Sequence, residues 1–269
     1  IIFGKIAIPL IIICIISVLL LIKLLIRKFK ISSKMSYLIA IGTSVCGATA
    51  IVATAPVINA KKTEVTYAIA NITLFGVFSM LVYPYFANLY FDGNSLYAGL
   101  FLGTAIHETS QVAAAGLIYD QQFNSPETLN IATVTKLIRN TFLVVMIPLF
   151  GYLYNRGNKE TTRVSIFRIF PYFVLGFIGM MFVRNIGDQV FQTNTEYNFE
   201  NWNIFISYTK DTAKVCLTMA MAAVGMSTNL AELRSMGYKP FIVGFIAALV
   251  VGLVSIITMQ SFEKITLLL

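Results

Sequence analysis

The sequence predicts an all-α polytopic membrane protein, with about eight transmembrane segments gathered in one domain over residues 1–269. Three observations predict it. The chain is 57% hydrophobic and 12% charged with a mean hydropathy of +0.78, and uncharged runs of bilayer-crossing length recur along it. Its Lys and Arg residues gather in short stretches between those runs, as the positive-inside rule produces, so the net charge of +8 needs no nucleic-acid partner. Lastly, ionisable residues lie inside apolar segments, where each costs roughly 2.5 to 3.5 kcal/mol and is functional by default.

Taken in order, Ile6 to Ile22 is an uninterrupted Ile/Leu-rich span that ends in Lys23, Arg27, Lys28, Lys30 and Lys34, a basic loop assigned to the cytoplasm. The second span, about Met35 to Ile58, holds Gly42, Thr43, Ser44, Cys46, Gly47, Thr49, Thr54 and Pro56, which makes it a broken helix buried in protein. Val65 to Tyr90 is the third span, and Asp92-Gly93-Asn94 turns tightly into a fourth, Ser95 to Ile118. A fifth runs from Leu129 to Tyr154 and carries Lys136 and Arg139 on one face; at 1.5 Å per residue Arg139 lies about 15 Å in from Leu129. Arg156 to Arg168 is a second basic loop. A sixth span, Ile166 to Val190, contains the i, i+4 pair Arg184 and Asp188, and an acidic polar loop over Gln192 to Asn203 precedes the seventh, Ile206 to Leu230. There Ser227, Thr228 and Asn229 serve as a cap. Phe241 to Met259 is the eighth. Alternate threading puts eleven Lys or Arg on the side of Lys23, and Lys5, Lys61, Lys62 and Lys264 on the other; one re-entrant hairpin would change that count.

The chain is organised around L-F-L-G-T-A-I-H-E-T-S-Q-V-A-A-A-G, Leu100 to Gly116, which places the single histidine beside a glutamate. Read as a continuous helix, it puts His107 on a face with Gly103 and Gln111, and Glu108 on one with Thr104, Gln111 and Val112. A zinc-binding H-E-x-x-H is excluded because position 111 is Gln and no second histidine exists. Cys14, Cys46 and Cys216 form neither a disulfide framework nor a metal site. Sliding the chain by 61 residues lays Ile41–Thr54 over Leu102–Ala115, pairing Gly42 with Gly103, Thr43 with Thr104 and Cys46-Gly47 with His107-Glu108. Each unit is then a motif segment followed by a long helix. Such paired, Gly-interrupted segments are the sequence mark of a transporter's binding site.

The motifs G-T-S-V-C-G-A-T-A-I-V-A-T-A-P-V (Gly42 to Val57), G-T-A-I-H-E-T-S-Q-V-A-A-A-G (Gly103 to Gly116), T-K-L-I-R-N (Thr135 to Asn140) and M-A-M-A-A-V-G-M-S-T-N-L (Met219 to Leu230) resemble the YeiH-type family of bacterial membrane proteins, described as candidate sulfate exporters. The family's usually acidic position in the A-T-x-P-V segment is Ala55 here. The resemblance implies kinship with the cation:proton antiporter and sodium-coupled anion transporter group, whose crossed broken helices hold an ion site. It also implies several further spans ahead of Ile1.

The expected function is a secondary transporter, an exporter of a small inorganic or organic anion, in the bacterial inner membrane. Sulfate and sulfite are suggested by the resemblance only. The expected site comprises Gly42, Thr43, Ser44, Cys46, Gly47, Gly103, Thr104, His107, Glu108, Gln111, Lys136 and Arg139. In it, Lys136, Arg139 and helix N-termini hold the anion, and His107 and Glu108 carry protons. No cofactor, metal or enzymatic chemistry is expected, and a homodimer is left open. The competing class is a non-transporting sensor or assembly subunit whose buried polar groups serve packing alone.

Overall fold

The computed structural model describes residues 2–29, 31–155, 172–192, 196–227 and 238–268. It divides into two units, residues 1–169 with 228–269, and residues 170–227. All regular elements among the described residues are α-helices: α1 (Ile2–Phe29), α2 (Ser33–Ser44), α3 (Ala48–Thr54), α4 (Lys62–Tyr90), α5 (Ser95–Ala105), α6 (Thr109–Phe123), α7 (Pro126–Thr141), α8 (Leu143–Asn155), α9 (Tyr172–Gln192), α10 (Glu196–Ser227) and α11 (Tyr238–Leu268).

In the first unit, four stretches are long and apolar enough to cross a membrane: Ile6–Leu25, Lys62–Tyr90, Pro126–Tyr152 and Tyr238–Ser261. The last of these but one joins α7 to α8 through the single turn at Phe142. Apolar residues ring α1: Ile8, Ile12, Ile16, Leu20 and Leu24 are exposed at every fourth position, while Ile11, Val18 and Ile22 are buried. A helix apolar on all sides fits a bilayer rather than water.

The second and fourth expected spans do not cross. At the foot of α2 the Ser32 hydroxyl donates to Glu64 Oε1 at 2.8 Å, and Lys34 Nζ donates to the Asn59 carbonyl at 2.6 Å. The segment from Ser33 to Asn59 therefore returns to the face it left, as a re-entrant hairpin. Ser125 Oγ likewise donates to Ser95 Oγ at 2.8 Å, and Tyr119 OH to Asn88 Oδ1 at 3.2 Å, so Ser95 to Phe123 is a second hairpin. With 12, 7, 11 and 15 residues in α2, α3, α5 and α6, the arms reach about 10 to 22 Å, roughly one third to three quarters of the apolar thickness.

The mouths of the hairpins lie at opposite ends of α4, and their tips meet beside its middle, where Gly42 packs on Ile72 and Gln111 Nε2 donates to the Thr73 carbonyl at 3.1 Å. Hairpin plus crossing helix is thus the repeated unit: collinear in sequence, inverted across the membrane because one crossing separates the two copies. The chain breaks at 45–47 and again at 106–108, the same 61-residue offset as the self-match. This corrects the threading. Lys61 and Lys62 return to the face of Lys23 and Lys34, and residues 91–126, which contain the opposite mouth, have no Lys or Arg.

Gly99, Gly103 and Gly116 seat α7, since a Cβ at each would meet Ile131, the Ala132 carbonyl and Leu129 respectively. The close approach those small residues permit is to α7 rather than to the partner hairpin. Parallel to α4 runs α11, with Asn71 Nδ2 donating to the Pro240 carbonyl at 2.9 Å near one end and Gln260 reaching Tyr90 at the other.

The second unit is a helix pair. Arg184 Nε donates to Asp188 at 2.7 Å, Trp202 Nε1 donates to the same carboxylate at 2.8 Å, and the indole lies where a Cβ on Gly187 would be. Helix α10 begins at Glu196, so the stretch expected as a loop to Asn203 is mostly helical. The basic stretch Arg156–Arg168, the beginning of the sixth span and the cap residues Thr228 and Asn229 fall outside the described residues.

Candidate functional site

The site is built where the two hairpins turn. Helix α2 ends at Ser44 and α5 ends at Ala105, and a helix terminus leaves its last carbonyls without N–H partners. In water they would be solvated, but at the centre of a membrane bundle a donor must be supplied by protein. Helix α7 supplies it. Arg139 Nε donates to the Ser44 carbonyl at 2.8 Å and Nη2 to the Thr43 carbonyl at 2.6 Å, while Nη1 donates to the Thr104 carbonyl. Lys136 Nζ donates to the Val45 carbonyl at 2.8 Å and to the Ile106 carbonyl at 3.0 Å. Both cations are fully buried, and each joins one hairpin to the other. Their charge also offsets the negative ends of two helix dipoles.

His107 and Glu108 do not lie on a helix, contrary to the expectation of a continuous segment. Ile106 at φ −88°, ψ 139° and Glu108 at φ −93°, ψ 137° are extended, and α6 starts only at Thr109. The faces assigned to His107 with Gly103, and to Glu108 with Thr104, accordingly do not exist. Glu108 instead reaches across to hairpin 1, where its Oε1 accepts from the Ala48 N–H at the start of α3. Gly47 permits this in two ways: its φ of +62° disfavours a side chain, and a Cβ there would strike the Glu108 carboxylate. His107 is 1% exposed and its Nδ1 has no hydrogen-bond partner.

The remaining expected residues fall in the same place. Thr43 and Ser44 take part through their carbonyls, and the Ser44 hydroxyl donates to the Ala40 carbonyl at 2.6 Å. Thr104 couples its hydroxyl to Ser255 on α11 at 2.7 Å. Cys46 is buried at the first tip, a free thiol, and Gln111 spans from α6 to α4. Gly42 and Gly103 sit one turn below the tips.

Sequence reasoning missed Asn140. It lies four residues after Lys136, hence on the same face of α7, and the run T-K-L-I-R-N contains it. It is 3% exposed, its Nδ2 donates to Thr109 Oγ1 at 3.0 Å, and its Oδ1 has no partner.

The family model described as Conserved hypothetical protein 698 matches residues 1–244. A UPF0324 membrane protein of Fusobacterium nucleatum is 34% identical over 257 residues, 94% of this chain and 74% of that protein. The chain belongs to the UPF0324 family of membrane proteins. UPF0324 relatives in Streptococcus mutans and Clostridium tetani are 34% and 31% identical, over 94% and 89% of this chain and 72% and 68% of theirs. No solved structure matches the UPF0324 chain.

Proposed function

We propose that the chain is the membrane domain of a secondary transporter for a small anion, coupled to protons through Glu108. The observation that carries this reading is the meeting of two re-entrant hairpins, inserted from opposite faces, around buried ionisable side chains. Interrupted helices of inverted repeats that meet at the midplane are how many transporters build a site reachable from either side. An anion is favoured by charge: among the described residues the buried charged groups are two cations, Lys136 and Arg139, and one carboxylate, Glu108. The similarity to YeiH-type proteins adds sulfate and sulfite as first substrates to try. The face bearing Lys23, Lys34, Lys61 and Lys62 is the cytoplasmic one by the positive-inside rule.

A second reading has its own support. Among the described residues, every hydrogen bond made by Lys136 and Arg139 ends on a backbone carbonyl, which is what a purely structural clamp in a non-transporting membrane protein would show. The two readings separate in proteoliposomes. Flux of labelled oxyanions that responds to an imposed pH gradient, with the response lost in Glu108→Gln, supports the transporter. No flux of any small anion in either direction supports the clamp.

A further inference from the structure

Lys136 and Arg139 are committed to the carbonyl ends of α2 and α5, so the anion needs other partners. Those partners stand one turn away. Helix α6, 15 residues long, starts with no side-chain cap, and its first N–H groups, on Thr109, Ser110 and Gln111, have no acceptor among the described residues. Glu108, the residue placed to cap them, is turned toward Ala48 instead. A helix N-terminus alone would mean little, but a buried side chain is aimed at this one. Asn140 bonds the Thr109 hydroxyl, is 3% exposed, and keeps one amide atom without a partner. Because the Thr109 hydroxyl can donate as well as accept, the amide can turn over. Oδ1 then accepts from Thr109, and Nδ2 points a second N–H at whatever sits on the helix end. Thr109 and Ser110 are only half-buried, so the turn is reachable.

We infer that a small oxyanion binds the first turn of α6, held by the Thr109, Ser110 and Gln111 N–H groups and by the Asn140 amide N–H, which the Thr109 hydroxyl orients. This deepens the transporter reading and rests on it for its role in the cycle. Aligned peptide N–H groups suit several oxygens of one anion at once, and the helix dipole adds to the attraction. Lys136 and Arg139 act on it as a fixed positive field behind the donors. The same field and dipole oppose a metal cation at this place, even though the spare Asn140 and Gln111 atoms are oxygens.

The test uses the full chain, purified, with choline sulfate, choline phosphate and choline nitrate against sodium chloride at matched ionic strength. At least one oxyanion should raise the melting temperature of the native chain, whereas sodium chloride should not. Asn140→Asp tethers a carboxylate on the helix end; it should raise the melting temperature without added anion and weaken oxyanion protection about tenfold or more. Thr109→Val, which loses only the hydroxyl, should weaken protection a few-fold and keeps the test decisive if Asn140→Asp does not fold. Protection by sodium chloride equal to that by the oxyanion salts, no protection by any of the three oxyanions, or native protection in both variants would overturn the site. Protection without flux in proteoliposomes would remove the transporter reading and leave the site standing. Flux that persists unchanged in both variants would do the reverse.

Discussion

The two hairpins have one architecture and unequal chemistry. Hairpin 1 turns through Val45-Cys46-Gly47, without a charge; hairpin 2 turns through Ile106-His107-Glu108, with two ionisable groups at the matching positions. Hairpin 1 gives Arg139 and Lys136 three carbonyls, hairpin 2 gives them two, and the carboxylate of hairpin 2 takes an N–H from hairpin 1. The first hairpin therefore acts as a passive frame of backbone dipoles. The second brings the groups that can change charge. The two repeat units share the register of their breaks, while the side chains at their tips differ.

The largest expected effect tests the inversion itself. In a Cys216→Ser background, single cysteines at Asn59 and at Gln121, both exposed, should react with a membrane-impermeant thiol reagent from opposite faces of the membrane. Labelling of both from one face would break the comparison. Next in size, Arg139→Met leaves three buried carbonyls without a donor and should cost about 3 to 5 kcal/mol, read as a large fall in melting temperature or loss of folded protein. Lys136→Met, with two such carbonyls, should cost less, and Arg139→Lys should fall between native and Arg139→Met. Equal melting temperatures across the three would show that the tips are held by something else.

Smaller again, Gly47→Ala forces a positive φ on a side-chain-bearing residue and drives its Cβ into Glu108, for about 1 to 3 kcal/mol. In the double variant with Glu108→Ala part of that loss should return, whereas simple additivity would mean that the two tips do not press on each other. Gly93, also at positive φ but with only Asn88 near, should tolerate alanine better. The smallest effect belongs to the mouths. Ser125→Ala removes a part-buried bond to Ser95 and should cost about 0.5 to 1 kcal/mol, a shift of a degree or two in melting temperature.

Much of this was legible in the residues, and the errors have physical causes. Glycine, threonine and proline within 42–56 announced the first break, because such residues weaken a helix. The second break was hidden: Leu100 to Gly116 has no proline, and its pattern fits an unbroken helix. Only the self-match, which sets His107-Glu108 over Cys46-Gly47, carried the signal. The return of hairpin 1 was also written in the charges, since Lys34 and Lys61-Lys62 flank it with the same sign. Alternate threading concealed it. Burial of Arg139 was readable from its depth, whereas Lys136 could equally have snorkelled outward; the partners of both were unreadable, because a backbone carbonyl has no letter in a sequence. Asn140 escaped for a related reason: its interest lies in an atom left without a partner.

The lengths of the hairpin arms bear on how such a protein is made. At 12 and 11 residues, α2 and α5 are too short to span the bilayer as independent stop-transfer helices, and each ends in carbonyls that lipid cannot solvate. Both hairpins are synthesised before Lys136 and Arg139 leave the ribosome. Until α7 arrives, neither tip has donors, so neither is stable at the depth it occupies in the finished protein. Insertion of the midplane is therefore a late step, completed when one helix carries its two cations in between two waiting hairpins. A nascent chain cut before Lys136 should accordingly hold its hairpins near the surface, open to reagents that the complete chain excludes.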